Sequence, residues 1–362
     1  MPGTPARLDW VDTAKGLSII LVVMMHSAYG VGEATGEVSY LNYVIGWATP
    51  FRMPEFFLIS GLFLGQVIAR PWKLYADRRV VHYLYFYLLW AALQILVKVG
   101  LGEGDLTGAL AGIALAVVEP YGVLWFIYLL GGFSLAAKLV HTLGVPHWVA
   151  LAGAAALQVA PVHTGVYAFD QFAEYLVYFY AGYALAPLVF RIVAAAQRHL
   201  ALSLLALLGY AVASFYLVFA GGAELHPDGL KMGYAALPGL HLALALAGSL
   251  AVCASAALLA RLPAMDWLRW LGEHSIVVYL SFSIPMAASR VLLLKLGVID
   301  DAGILGTIVM LVALGAPLVL YWLVRWSGRG RFLFERPAWA HLPGTPGRRG
   351  PAVAPAPAIA GS

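Results

Sequence analysis

The sequence predicts an all-α membrane protein, built as a polytopic bundle of about ten transmembrane helices. Two observations support this prediction. Hydrophobic residues make up 62% of the 362 residues and charged residues only 11%, whereas soluble domains carry about 25% charged residues. The apolar residues are also gathered into long runs, most of which can cross a bilayer. Composition therefore excludes a soluble domain, and the single cysteine excludes an internal disulfide.

About ten apolar runs of spanning length follow one another along the chain. They lie near residues 14–32, 42–69, 80–100, 121–140, 145–161, 172–190, 200–221, 238–260, 274–297 and 303–325. Their orientation follows from the loops, because Lys and Arg are retained on the cytoplasmic side. The basic residues that begin the chain, follow the second and last runs or mark later turns are Arg7, Lys15, Arg70, Lys73, Arg78, Arg79, Arg191, Arg198, Arg261, Arg269 and the arginines from Arg325 to Arg349.

The region between Arg79 and Arg191 decides how many runs cross. An even number of crossings is needed there if both basic segments are cytoplasmic. Five apolar runs occupy the region, so one of them does not span. The shortest, 106–118, is expected to be re-entrant or to lie along the interface. About ten spans then remain, with both termini cytoplasmic.

The first apolar run, 10–27, contains two ionisable residues, Lys15 near its start and His26 deep inside it. No small-residue cleavage site follows, so we interpret the run as a retained first span rather than a cleaved signal. Eleven helical steps of about 100° bring both side chains to one face, about 16 Å apart along the axis. Ionisable groups within a span mark functional sites by default. The alternative is a packing role for His26 and a snorkelling interface anchor for Lys15.

The second run carries an arginine and a glutamate at membrane depth, beside two prolines. Pro50 and Pro54 are expected to interrupt the helix, and irregular backbone inside a membrane is tolerated where it lines protein or a cavity. Arg52 and Glu55 are three residues apart, which is close enough for an ion pair. Such a pair is either functional or purely structural, and the sequence leaves both interpretations open.

Residue type alone leaves two further features ambiguous. Lys73, Arg78 and Arg79 open the third span, where a basic cluster either sets the topology or docks an anionic cytosolic ligand through the arginine forks. Trp125 opens the fourth span, where an indole is commonly an interface anchor. Spacings typical of metal ligands, phosphate loops and nucleophile elbows do not occur in the sequence. We therefore expect no bound metal and no nucleic-acid partner.

Taken together, these runs resemble a known family. VDTAKGLSIILVVMMH is similar to the first-span signature of the membrane acyltransferase-3 family, the integral-membrane O-acyltransferases related to fucose 4-O-acetylase and the glucan succinyltransferases. That signature is a basic residue, ten intervening residues and a histidine, here Lys15 to His26. FRMPEFFLISGLF, ADRRVVHYLYFYLLW, LWFIYLL and WLGEHSIVVYLSF resemble later elements of the family, in the same order. Three positions depart from the family pattern: Lys15 stands for a more frequent arginine, Glu55 for an apolar residue, and Ser281-Phe282-Ser283 for a stretch that often contains a histidine.

The resemblance implies an enzyme that transfers an acyl group, expected to be acetyl, from cytosolic acyl-CoA to a hydroxyl of a glycan or glycolipid acceptor. It implies that His26 is the general base or the acyl carrier, and the sequence does not separate these roles. Arg52, held by Glu55, is expected to stabilise charge on the thioester oxygen. The residues expected to contact the acyl-CoA co-substrate are Lys15, Arg78, Arg79 and Trp125.

The expected partners are acyl-CoA, a carbohydrate or lipid-linked acceptor and membrane lipids, with no tightly bound cofactor and a homo-oligomer left open. We expect a transmembrane domain over residues 1–326 in the cytoplasmic membrane of a bacterium. A cytoplasmic tail over 327–362 is expected to be disordered from about residue 343, where Pro, Gly and Ala dominate. An alternative from another class is a proton-coupled transporter or flippase that uses His26, Arg52 and Glu55. A non-catalytic scaffold is a third, suggested by the departures.

Overall fold

A computed structural model describes residues 8–345 of the chain. The helices are α1 (Asp9–Thr35), α2 (Tyr40–Gly61), α3 (Trp72–Ala76), α4 (His82–Ile95), α5 (Leu106–Leu115), α6 (Trp125–Thr142), α7 (His147–Val159), α8 (Tyr167–Ala184), α9 (Ala186–Arg198), α10 (Leu200–Phe219), α11 (Pro238–Leu259), α12 (Asp266–Glu273), α13 (Ser275–Ser281), α14 (Ser283–Leu296) and α15 (Ala302–Ser327). Two π-helical segments, Asp77–Val81 and Leu96–Gly102, adjoin α4, so that Trp72–Gly102 is one helical rod. Within the described residues, the strands are β1 (Glu224–His226) and β2 (Gly229–Lys231), which form an antiparallel hairpin. The predicted all-α class is confirmed.

Fewer helices than expected have the length and composition of a membrane span. Six qualify: Asp9–Thr35, Trp72–Gly102, Gly122–Thr142, Leu200–Phe219, Pro238–Leu259 and Ala302–Ser327. Two bent pairs, α8 with α9 at 75° and α13 with α14 at 57°, raise the number to eight if each pair is one span. The expected ten spans and the cytoplasmic termini are therefore not confirmed.

The two helices that account for the difference are α2 and α7. α2 is long but carries Arg52 and Glu55 near its centre, and it is not among the qualifying helices. α7 has 13 residues, which at about 1.5 Å per residue is shorter than the hydrocarbon core of about 30 Å. α5, with 10 residues, is also short. Its length agrees with the expectation that 106–118 does not cross, which stays a prediction.

α1 and α2 lie side by side and antiparallel in the interior of the bundle. Ser18 of α1 donates a hydrogen bond to Glu55 of α2, and Tyr29 of α1 interacts with Thr49 of α2. The later residue of α1 thus contacts the earlier residue of α2, which is the order for antiparallel helices. α1 also packs against α11, α12 and α15, and α2 packs against α8 and α11. Both helices therefore have protein neighbours on several sides.

Glycines allow α12 to lie directly on the beginning of α1. A Cβ on Gly272 of α12 would collide with the backbone carbonyl of Asp12, and a Cβ on Gly16 would collide with the carbonyl of Leu268. Small residues let two helix backbones approach closely, which is a common way for membrane helices to associate. The position of the first turns of α1, where Lys15 lies, is thus set by α12.

α2 is continuous through both of its prolines. Pro50 and Pro54 lie inside the helix, so the expected interruption at these residues is wrong. A proline removes one intrahelical hydrogen bond but leaves the rest of the ladder, and contacts with neighbouring helices keep a proline-containing membrane helix ordered. Because α2 stays regular, the side chains of Arg52 and Glu55 project from it in directions about 60° apart around the helix axis.

After α15 the chain turns back onto the rod formed by α3 and α4. The hydroxyl of Tyr85 donates to the carbonyl of Phe332 at 3.0 Å, and the indole nitrogen of Trp90 donates to the carbonyl of Leu333 at 3.0 Å. The described part of the expected tail therefore contacts the bundle. The part from residue 346 onward, for which disorder is expected, lies outside the described residues.

Candidate active site

The helix α1 holds Lys15 and His26 on one continuous support. It runs without a break from Asp9 to Thr35, so the helical spacing of about 16 Å between the two residues applies. Lys15 lies in the part of α1 that packs on α12, and His26 lies two turns beyond Ser18. The ring of His26 lies 5.5 Å from the ring of Phe282, at the break between α13 and α14. His26 is thus half-buried, with the ring of Phe282 on one side.

Arg52 of α2 interacts electrostatically with His26 of α1. The guanidinium is within electrostatic range of His26 and Tyr29 of α1 and of Tyr175 of α8. Arg52 is 9% exposed, and its Nε and Nη1 atoms have no hydrogen-bond partner within residues 8–345. Three helices therefore bring an imidazole, two phenols and a buried cation with unused donors to one place.

Arg52 and Glu55 do not form the expected ion pair. No hydrogen bond or ion pair joins them in the described part of the chain; instead Ser18 donates to Glu55 Oε2, and Glu55 Oε1 is buried without a partner. Glu55 also lies within electrostatic range of Cys253 on α11. The physical reason is that each side chain has partners on different neighbouring helices: Glu55 interacts with α1 and α11, and Arg52 with α1 and α8. The structure therefore does not support Glu55 as the residue that holds Arg52.

Trp125 lies on the α8 side of Arg52. Its ring is 5.3 Å from that of Tyr175 and 5.9 Å from that of Phe57. Tyr167, at the start of α8, completes the group with a ring distance of 6.4 Å. Because Tyr175 interacts with Arg52, Trp125 is connected to the buried cation through one aromatic ring. The structure thus brings Trp125 close to the interior group, which residue type alone could not show.

Lys15 forms an ion pair on its own helix. Its Nζ lies 3.1 Å from Oδ1 of Asp12, and the Lys15 side chain is 35% exposed. An anionic ligand at this end of α1 has to compete with the Asp12 carboxylate for the ammonium group. Lys15 is about three turns from His26, so it does not belong to the interior group.

Arg78 and Arg79 lie on the π-helical turn that precedes α4. Arg79 donates to the hydroxyl of Tyr83 at 3.1 Å, and Nε of Arg78 lies 4.0 Å from the carboxylate of Asp77. π-helical turns are rare and occur frequently at functional sites. Both arginines therefore have local partners that orient them.

Several residues of the site carry no sequence signal of their own. Tyr29, Tyr175 and Glu174 look like ordinary aromatic and charged residues of a span, yet Glu174 interacts with Tyr175 and so with the group around Arg52. Asp228 is an exposed loop residue whose carboxylate acts electrostatically on Tyr29. Among these residues, only Tyr29 has a sequence signal, because it follows His26 by about one helical turn.

The β-hairpin brings Asp228 to the end of α1. The side-chain amide of Asn42 donates to the carbonyl of Pro227 at 3.0 Å. The same carbonyl lies against Gly32 of α1, where a Cβ would collide with it. An ion pair of 2.7 Å between Lys231 and Glu224 joins the two strands and lowers the pKa of the Glu224 carboxyl. The hairpin therefore covers the end of α1 opposite to Lys15.

Neither of two open grooves on the bundle is lined by His26 or Arg52. One, of about 600 Å³, lies between Trp47 and α10, and the other, of about 460 Å³, lies between His274 and the end of α15. Among the described residues, no group of three or more His, Cys, Asp or Glu side chains could hold a metal ion.

A family model described as an acyltransferase domain matches residues 8–326. The chain belongs to the membrane acyltransferase-3 family. Neither the curated proteins nor the solved structures compared with the chain gave a match. Membership of this family makes the protein a membrane acyltransferase, and the matched region contains Lys15, His26, Arg52, Arg79 and Trp125.

Proposed function

We propose that the protein is an acyl-CoA-dependent O-acyltransferase of a bacterial cytoplasmic membrane. Its donor is cytosolic acyl-CoA, expected to be acetyl-CoA, and its acceptor is a hydroxyl of a glycan or glycolipid. The observation that carries the proposal is Arg52, a buried cation with two unpartnered nitrogens that lies within electrostatic range of the imidazole of His26. Donors fixed in a water-poor site stabilise an oxyanion strongly, because their hydrogen bonds are already oriented before charge develops.

The reaction proceeds by one of two routes at His26. In the first, the imidazole removes the proton of the acceptor hydroxyl, whose oxygen attacks the thioester carbonyl; the C–S bond breaks, and the CoA thiolate takes the proton from the imidazolium. In the second, the His26 imidazole attacks the thioester carbonyl, the C–S bond breaks and CoA leaves as the thiolate; the acceptor oxygen then attacks the acyl group, the bond from acyl carbon to imidazole nitrogen breaks, and the hydroxyl proton is taken up by the CoA thiolate. In both routes Arg52 donates hydrogen bonds to the negative oxygen of the tetrahedral intermediate.

The ends of α1 suit a donor and an acceptor that arrive from opposite sides. Lys15 offers positive charge to CoA phosphates at one end, and Arg78 and Arg79 are proposed to share that role. Asp228 of the β-hairpin stands at the other end, exposed, where its carboxylate can accept hydrogen bonds from the hydroxyls of a sugar. An extended pantetheine arm spans the helical distance of about 16 Å between Lys15 and His26.

His26→Gln in the purified protein tests the proposal. The wild type is expected to release CoA from labelled acetyl-CoA and to label the acceptor, and His26→Gln is expected to lower both rates by at least about a thousandfold. His241→Gln is the matched control, because His241 is a histidine of α11 whose Nδ1 lies 3.0 Å from the side-chain amide of Gln158 on α7. It is expected to retain near wild-type rates. Full turnover by His26→Gln would contradict the catalytic assignment.

The same preparation separates the two routes and the two classes of function. Label that stays on the protein after rapid denaturation, and is lost in His26→Gln, identifies the acyl-carrier route. Label found only on the acceptor identifies the general-base route.

The transporter alternative has one observation in its favour, since Arg52 and Glu55 both have buried polar atoms without partners. Movement of a solute across proteoliposomes without thioester cleavage would favour that alternative.

A further inference from the structure

The buried carboxylate of Asp77 is held by the segment that follows the last helix. We call residues 331–342 the C-terminal strap. Arg336 of the strap donates from Nη1 to the backbone carbonyl of Asp77 and from Nη2 to its Oδ2, each at 2.7 Å. The backbone N–H of Leu342 donates to Oδ1 at 2.8 Å, and Nδ1 of His341 lies 3.1 Å from Oδ2. Both carboxylate oxygens and the backbone carbonyl of one residue are thus engaged by the strap.

This contact is enclosed as well as paired. The side chains of Asp77 and Arg336 are 0% and 3% exposed. Phe334 of the strap packs with its ring 5.6 Å from that of Trp90 and 5.4 Å from that of Tyr321. Charge-assisted hydrogen bonds are stronger than neutral ones, and Arg336 holds the backbone carbonyl of Asp77 as well as its carboxylate. The strap is therefore attached firmly at one position of the rod.

That position is the first residue of the π-helical turn Asp77–Val81, which also carries Arg78 and Arg79. The strap grips the backbone of the turn at the Asp77 carbonyl, so it fixes where the next two residues leave the helix. π-helical turns are rare and occur frequently at functional sites. The contacts of Arg336 and Leu342 hold this turn at the residue that directly precedes the two arginines.

We propose that the C-terminal strap positions Arg78 and Arg79 to bind the phosphates of the acyl-CoA donor, with Asp77 and Arg336 as positioning residues. The inference rests on the proposed function for the identity of the ligand. The strap lies after residue 326, where the match to the family domain ends. It is therefore a feature of this chain that the family assignment does not cover, and it adds a role for residues outside that domain.

Arg336→Ala and Arg336→Lys in the full-length protein test the proposal, with Arg331→Ala as the matched control. Arg331 is an exposed arginine of the same strap, and no side-chain hydrogen bond joins it to Asp77 within the described residues. The first measurement is amide hydrogen exchange of the segment 77–81. The second is the steady-state KM for acetyl-CoA and the kcat at saturating acetyl-CoA.

Arg336→Ala is expected to speed exchange in 77–81 and to raise the KM for acetyl-CoA by about tenfold, with kcat within about twofold of wild type. Arg336→Lys keeps the positive charge without the guanidinium fork, so its exchange rate and its KM are expected to lie between those of wild type and Arg336→Ala. If Arg336→Ala does not fold, Arg336→Lys takes its place in both measurements. Arg331→Ala is expected to match wild type in both measurements.

Two results would overturn the inference. Unchanged exchange in Arg336→Ala means that the strap does not hold the turn. Faster exchange with an unchanged KM means that the strap holds the turn without positioning a donor site. Failure of the proposed function looks different, because wild-type protein would then neither bind nor consume acetyl-CoA, and the KM comparison could not support a donor site.

Discussion

Arg52 and Arg336 are two arginines with buried side chains and opposite surroundings. Arg336 donates both of its terminal nitrogens to Asp77, and the contact joins the C-terminal strap to the rod. Arg52 leaves Nε and Nη1 without partners, although Glu55 is only three residues away on the same helix. A buried charge without a partner costs several kcal/mol, so the arrangement around Arg52 is not explained by stability. The difference separates a structural cation from one available to a ligand.

The surroundings of the two residues support the same distinction. Arg336 faces a carboxylate that neutralises it, whereas Arg52 faces His26 and two phenols. Arg52 forms no ion pair within the described residues, so its positive charge is available to a developing negative charge. Arg336 also keeps Nε buried without a hydrogen-bond partner within the described residues, but both of its terminal nitrogens donate to Asp77.

The largest expected effects come from two separate variants, in which Arg52 or Arg336 is replaced by glutamine. Arg52→Gln is expected to lower the acyl-transfer rate by about 10²–10³, the usual cost of losing an oxyanion donor, with a thermal unfolding midpoint equal to or above wild type. Arg336→Gln is expected to leave Asp77 buried without its cation, at a cost of about 3 kcal/mol, and to lower the midpoint. Transfer assays and thermal unfolding in detergent measure both. A lower midpoint for Arg52→Gln with normal turnover would reverse the distinction.

Lys15 tests the donor end of α1 with a smaller effect. Lys15→Ala removes an ammonium that is already paired with Asp12, so we expect the KM for acetyl-CoA to rise by about tenfold, or about 1.4 kcal/mol, with kcat little changed. Lys15→Arg keeps the charge and is expected to remain within about threefold of wild type. Steady-state kinetics at varied acetyl-CoA provide the measurement. An unchanged KM in Lys15→Ala would remove Lys15 from the donor site.

Glu55 is expected to show the smallest effect. Glu55→Gln keeps an oxygen that can accept the Ser18 hydrogen bond, and Glu55 is not paired with Arg52 in the structure. Turnover is therefore expected to stay within about threefold of wild type. The same transfer assay, with expression level as the control, tests this prediction for Glu55→Gln. Loss of activity comparable to that of Arg52→Gln would show that Glu55 acts on the cation after all.

Some features of the site were accessible from the sequence. The spacing of Lys15 and His26 along α1 is a local property, because the helix is continuous and its rise per residue is constant. The apolar composition likewise predicts the all-α class. Inside a membrane, only a helical bundle or a closed barrel satisfies the hydrogen bonds of the backbone N–H and C=O groups. The family elements, which appear in order along the chain, agree with the domain match.

Other features required contacts between distant parts of the chain. Pro50 and Pro54 predict a broken helix locally, but neighbouring helices keep α2 continuous. The predicted pair of Arg52 and Glu55 fails for a related reason, because each side chain meets a different partner on another helix. The number of spans also depends on bends at α8–α9 and α13–α14, which hydropathy does not detect.

The sequence by itself thus determined the membrane class, the family and the placement of a basic residue and a histidine on one helix. Only the tertiary structure decided that Arg52 lies within electrostatic range of His26 with unused donors, and that Asp77 is held by Arg336 from the far end of the chain. The physical reason is the range of the interactions. Helix geometry and hydropathy act over a few residues, whereas Asp77 and Arg336 are 259 residues apart and meet only because the helices between them pack.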